Sequence, residues 1–113
     1  MANQELTSIL TRRIQLARDT IATFQTNLKD SPGHSLEWSD SVFRAAGEIE
    51  VFSSAHKANS NDVDMVVYNK HLEDHILVAT RNPARSTSPC CNLMAQHRLA
   101  ATAELVEILR DNV

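Results

Sequence analysis

A chain of 113 residues and 12.6 kDa is the size of a single domain with one hydrophobic core, too small for a large catalytic cavity and its scaffold. The formal net charge is -3 with only 11 Lys and Arg residues, which argues against nucleic acid or a membrane surface as a partner. Because the chain shows neither a signal-peptide pattern nor an apolar run of about 20 residues, we expect a cytoplasmic protein.

Glycine and proline, which interrupt helices, are scarce and fall between longer segments. The chain has 2 Gly and 3 Pro, and the breaks lie at residues 31–33, 57–61 and 82–89. The sequence therefore predicts one all-α domain over residues 1–113, with helices at about residues 3–30, 36–57, 61–81 and 89–111. Long amphipathic helices joined by short loops favour an antiparallel up-down four-helix bundle.

The first segment has the clearest helical period. Its apolar residues recur every three or four positions: Leu10, Ile14, Ala17, Ile21, Phe24 and Leu28. This spacing predicts one continuous stripe on a helix that packs lengthwise against another.

The second segment has a similar stripe and a group of small residues in its middle. The stripe is Trp38, Val42, Ala45, Ile49 and Phe52, and Ser35 can cap the helix. Gly47 costs a helix about 1 kcal/mol relative to alanine. We therefore expect a close neighbour at Ala46 and Gly47, which is either another helix backbone, a second subunit or a small ligand.

The third segment admits two structures. Met65, Tyr68, Leu72, Ile76 and Ala79 keep helical phase, which favours a helix with a Ser60-Asn61 cap. The alternative is an α+β fold in which residues 63–80 form a hairpin of two short apolar strands.

The fourth segment begins with Ser88 as a cap and Pro89 as the first helical residue. Its stripe is Met94, His97, Ala101, Leu105 and Ile108. Cys90 and Cys91 occupy the positions after the proline, where the helix dipole lowers a thiol pKa. They are candidates for a reactive thiol, and the alternative is one buried and one exposed inert cysteine.

Two sets of side chains are candidates for metal binding. His71, His75 and His97 fall at one level of a four-helix bundle, and three histidines with water suit a catalytic zinc ion. At the other end, Mg²⁺ could bind a carboxylate set consisting of Glu48, Glu104, Glu107 and Asp111. Because His71 and His75 lie at the border of the apolar stripe, we favour a structural role for the histidines. For the carboxylates we favour a solvated acidic face. We therefore expect no metal and no cofactor.

The apolar residues outside the stripes point to self-association. They are Ile9, Leu16, Val51, Val66, Leu77, Leu99 and Val106. Since symmetric dimers are the commonest way to cover such surface, we expect a homodimer with the third helix at or near the interface. The favoured function is a small non-catalytic binding or regulatory protein whose small-molecule or protein partner the sequence does not name. The alternative is a metal-dependent hydrolase that uses the histidine layer or the carboxylate set.

Overall fold

The structure is a computed structural model that describes residues 2–30, 35–82 and 89–113, without the side chains of residues 27–30, 35–39, 89 and 90. It contains α1 (Gln4–Asp30), α2 (Ser35–Ser60), α3 (Met65–Arg81) and α4 (Pro89–Asn112), which are 27, 26, 17 and 24 residues long. The all-α prediction is confirmed. The hairpin alternative for residues 63–80 is wrong, because α3 runs through both of the short apolar stretches that suggested strands.

The helices alternate in direction, as an up-down bundle requires. Asn3, just before α1, hydrogen-bonds to Asn59 near the end of α2 and to Asn112 at the end of α4. Met65, which begins α3, packs in the same core as Leu109 of α4. The beginnings of α1 and α3 therefore meet the ends of α2 and α4.

The order of packing differs from the order along the chain. The main contacts join α1 to α2, α2 to α4, and α4 to α3, whereas α2 and α3 barely touch. Gly47 allows the α2–α4 contact: a Cβ atom there would lie 3.3 Å from the backbone nitrogen of Arg98 and 3.3 Å from the carbonyl carbon of His97. The close neighbour expected at Gly47 is thus a helix backbone of the same chain.

The largest apolar side chains are buried where all four helices meet. The cluster consists of Leu6, Leu10, Ile14, Phe52, Ala55, Met65, Leu105 and Leu109. It includes the α1 residues predicted at Leu10 and Ile14, while Val106, which lay outside the predicted stripe, is also buried. α3 contributes only Met65 and Asn69 to the buried set, because it packs along one neighbour. All four helices therefore pack together at the end of the bundle where α1 and α3 begin, which we call the closed end. Away from this end, α3 is largely exposed.

The second helix extends beyond its predicted end at residue 57. Asn59 is buried in α2 rather than lying in a loop. The helix ends at Ser60. Asp62 follows with a left-handed φ of 58°, and the N–H of Val63 donates to the carbonyl of Ala58 at 3.1 Å. This is a Schellman ending. The border predicted at residues 57–61 lies at residues 61–64, because the polar residues at the end of α2 remain helical.

Asn59 belongs to a polar network that joins three helix ends. Its Nδ2 donates to the Asn3 carbonyl at 3.0 Å and to Thr7 Oγ1 at 2.9 Å, and its Oδ1 accepts from the Asn3 N–H at 3.2 Å. Asn3 also caps α1, because its Oδ1 accepts from the N–H of Leu6, and its Nδ2 donates to the Asn112 carbonyl at 2.9 Å. The network gives buried amides the partners that they require.

The start of α3 also differs from the prediction. Its cap is Asp64, whose carboxylate accepts from the N–H groups of Val66 and Val67 at 3.0 and 3.4 Å. The predicted Ser60-Asn61 cap is wrong, since Ser60 still belongs to α2. α4 begins at Pro89 as predicted, while its predicted cap Ser88 lies outside the described residues. Among the helices described, none has both the length and the apolar character needed to cross a membrane.

Candidate functional site

An open groove with a volume of about 850 Å³ lies between α2, α3 and α4. It exists because α3 packs on α4 and leaves α2 at a distance. Most of its surface is apolar, and its apolar lining consists of Val51, Tyr68, Leu72, Ala79, Ala95 and Leu99. The volume lies within the range of about 300–1,000 Å³ that is usual for small-molecule sites.

Several polar side chains of the groove are already engaged by the protein itself. The hydroxyl of Ser54 donates to the carbonyl of Glu50 at 3.1 Å, and that of Thr102 donates to the carbonyl of Arg98 at 2.8 Å. The guanidinium of Arg98 lies 3.6 Å from the Glu50 carboxylate across the α2–α4 contact. These interactions leave the groove without a net charge on that wall.

Tyr68 supplies a phenol to the apolar part of the groove. Partial burial removes water from this side chain and raises the pKa of its hydroxyl above 10.0. The phenol therefore keeps its proton at neutral pH and can donate a hydrogen bond. His75 of α3, together with Asn92 and Gln96 of α4, also lines the groove.

A second cavity, of about 310 Å³, lies between α1, α2 and α4 and is lined by charged residues. Arg13 of α1 pairs with Glu104 of α4 and lies 5.0 Å above the ring of Phe52. Arg44 lies 3.6 Å from Glu48 on α2. Each carboxylate therefore has an arginine partner, one across the α1–α4 contact and one within α2. The lining has no excess negative charge for a cation.

The three candidate histidines do not form a shared site. His75 lines the groove, whereas His97 lines the charged cavity, where its Nε2 lies 2.9 Å from Asp40 Oδ1. His71 is exposed on α3. Within the described residues, no three His, Cys, Asp or Glu side chains form a group that could hold a metal ion. The histidines lie at similar heights along the helix axes but do not meet, because α2 and α3 contact different sides of α4.

The candidate carboxylates are also separated. Glu48 and Glu104 line the charged cavity with their arginine partners. Glu107 pairs instead with Arg110 at 3.0 Å, and Arg110 also reaches Glu73 of α3 at 3.0 Å. Asp111 is exposed. The acidic flank of α4 therefore forms one ion pair with Arg13 of α1 and one with Arg110 of α4 itself.

The remaining candidates are placed as follows. Cys91 is exposed in the first turn of α4, and the side chain of Cys90 lies outside the described residues. Ala46 is partly buried beside Gly47, at the contact of α2 with α4.

The groove was not predicted from the sequence, although two apolar residues indicate it. Val51 and Leu99 were noted as apolar residues outside the predicted stripes, and both line the groove. Val51 on α2 and Leu99 on α4 therefore indicate an apolar surface in addition to the core stripes. Such a surface can face solvent, another chain or a cavity. No protein-family model, curated protein or solved structure matches this chain.

Proposed function

We propose that the protein is a non-catalytic binding protein and that the groove between α2, α3 and α4 binds a small, mainly apolar molecule without net charge. The observation that supports this proposal is the combination of an apolar lining with a volume of about 850 Å³ in a chain of 113 residues. A cavity of this size left between helices is a usual position for a ligand site in a bundle.

The polar groups of the groove favour a neutral ligand. Glu50 and Arg98 neutralise each other, and Ser54 and Thr102 donate to their own helix backbones. The phenol of Tyr68 is protonated at neutral pH, as tyrosine ordinarily is, and burial raises its pKa further. A carbonyl, ether or hydroxyl oxygen on an otherwise apolar molecule would therefore find a donor, whereas a charged ligand would lose hydration without gaining a counter-charge.

A metal-dependent hydrolase has less support. Its two sets of candidate ligands are divided between different cavities and different ion pairs, as described above.

Binding can be tested with N-phenyl-1-naphthylamine, a neutral apolar dye that fluoresces when it leaves water. We expect saturable binding with a Kd in the micromolar range. The variant Ala95→Trp places an indole in the groove and should weaken binding at least tenfold. Ala103→Trp is the matched control, because Ala103 lies on the exposed side of the same helix.

Circular dichroism should show that both variants retain the helical content of the parent protein. Equal dye affinity in the parent and the Ala95→Trp variant would refute the groove as the site. Absence of dye binding at 100 µM protein would refute the apolar ligand class.

A further inference from the structure

The outer face of α3 exposes four large apolar side chains. Val66 is 62% exposed, Val67 50%, Leu77 55% and Val78 62%. α3 packs on α4, and these four side chains lie on the part of α3 that this contact leaves exposed. A soluble protein seldom leaves such side chains together on one surface unless something covers them.

The arrangement of this face along the helix is symmetric. At about 100° per residue, Val66 and Leu77 lie within about 20° of each other, and so do Val67 and Val78. The exposed Lys70 and Asp74 lie between the two apolar pairs, within the same arc of about 120°. Each end of the face is therefore apolar, and its centre carries one positive and one negative charge.

We propose that this face binds the same face of a second copy of the chain, with the two α3 helices antiparallel about a two-fold axis that passes beside residue 72. Residues whose numbers sum to about 144 then lie at the same height. Val66 meets the partner's Leu77 on one flank, Val67 meets the partner's Val78 on the other flank, and Lys70 meets the partner's Asp74 near the centre. Each of these contacts occurs twice, as in any isologous interface.

The charges favour a second copy in this orientation over other occupants. In a parallel pair, Lys70 would face the partner's Lys70, and Asp74 would face the partner's Asp74, which is repulsive. In the antiparallel pair, both charges face an opposite charge. The outer face of α3 has an apolar pair at each end and opposite charges in the middle, so it complements itself when one copy is reversed. Binding of an unrelated protein would not require this symmetry.

The pairing leaves the groove open. Tyr68, Leu72, His75 and Ala79 line the groove from the flank of α3 that faces away from the outer surface. Self-association therefore goes beyond the proposed ligand binding, and either proposal can fail without the other.

Sedimentation equilibrium from 1 to 500 µM tests the pairing. Since one helix pair buries less surface than a standard interface, we expect a mass that rises from 12.6 kDa towards twice that value in the micromolar range. Val66→Glu should weaken the dimer at least tenfold. The control Val113→Glu changes an exposed valine at the end of the chain and should have no effect. A constant mass of 12.6 kDa at every concentration would overturn the proposal and leave the face for another protein.

A charge exchange tests the orientation. Lys70→Asp and Asp74→Lys should each weaken the dimer about tenfold in 50 mM salt, because each creates two like-charge contacts across the interface. The double variant restores both opposite-charge contacts and should recover the parent affinity. Lys57→Asp makes the same charge change as Lys70→Asp at an exposed position on α2 and should leave the affinity unchanged.

Circular dichroism on each variant shows whether a change reflects folding. Equal weakening in the single and double variants would exclude the antiparallel register. An unchanged dimer in all three would place the interface elsewhere on the molecule.

Discussion

Replacing Asn59 with alanine tests whether the polar network holds the closed end of the bundle together. The substitution removes three hydrogen bonds, two to Asn3 and one to Thr7. The Asn3 carbonyl keeps the N–H and hydroxyl of Thr7 as donors, whereas the Asn3 N–H loses the acceptor that Asn59 provides. The variant should therefore fold but be less stable.

The magnitude follows from the number of bonds. At about 1 kcal/mol net for each bond, the loss is about 3 kcal/mol. The higher helix propensity of alanine returns about 0.6 kcal/mol, which leaves a destabilisation of about 2 kcal/mol. An unfolding entropy of about 2.1 cal/mol/K per residue then lowers the Tm by about 8 °C for a chain of this length.

The assay is thermal unfolding followed by circular dichroism at 222 nm, at one protein concentration. Asn61→Ala is the matched control, because it makes the same chemical change at an exposed position two residues later and should shift the Tm by less than about 2 °C. A fall of less than about 2 °C in the Asn59→Ala variant would show that the network contributes little to stability.

Three further predictions concern α2, its end and the groove. Gly47→Leu should lower stability by about 1–3 kcal/mol in urea unfolding, since even a Cβ would lie 3.3 Å from the backbone nitrogen of Arg98; unchanged stability would contradict the close α2–α4 contact. Asp62→Gly should raise stability by about 0.5–1 kcal/mol, because the φ of 58° suits glycine, and a lower Tm would argue against the Schellman ending. Absorbance at 295 nm should show Tyr68 titrating above pH 10.0. Because its pKa is higher in the folded state, its contribution to stability is complete below pH 10.0 and decreases above it, and a titration midpoint at or below 10.0 would show that Tyr68 is not desolvated.

The candidate site shows where reasoning from one sequence stops. His75 and His97 were placed at one level from the helical rise alone, and the structure puts them in different cavities. The rise per residue gives the height of a side chain along the helix axis, but it does not show which side of that helix each neighbouring helix contacts. The groove depends on the distance between α2 and α3, which no residue of either helix specifies by itself.

The sequence alone determined three of the helices and many of their buried positions, because glycine and proline are scarce and apolar residues recur every three or four positions. Leu10, Ile14 and Leu105 are therefore in the core, as their spacing predicted. For residues 63–80 the sequence favoured a helix but left a hairpin of two short strands open, and α3 in the structure excludes the hairpin.

The tertiary structure decided which helices meet. Leucine, isoleucine and alanine stripes fit many partners, because apolar contact has no direction, so α2 could have packed along α3 as well as along α4. Gly47 was the one residue that signalled a close approach, yet only the fold shows that His97 and Arg98 provide it. The burial of Asn59 also depends on the tertiary structure. A polar side chain is buried only where it finds hydrogen-bond partners, and the partners of Asn59, Asn3 and Thr7, are more than 50 residues away in the chain.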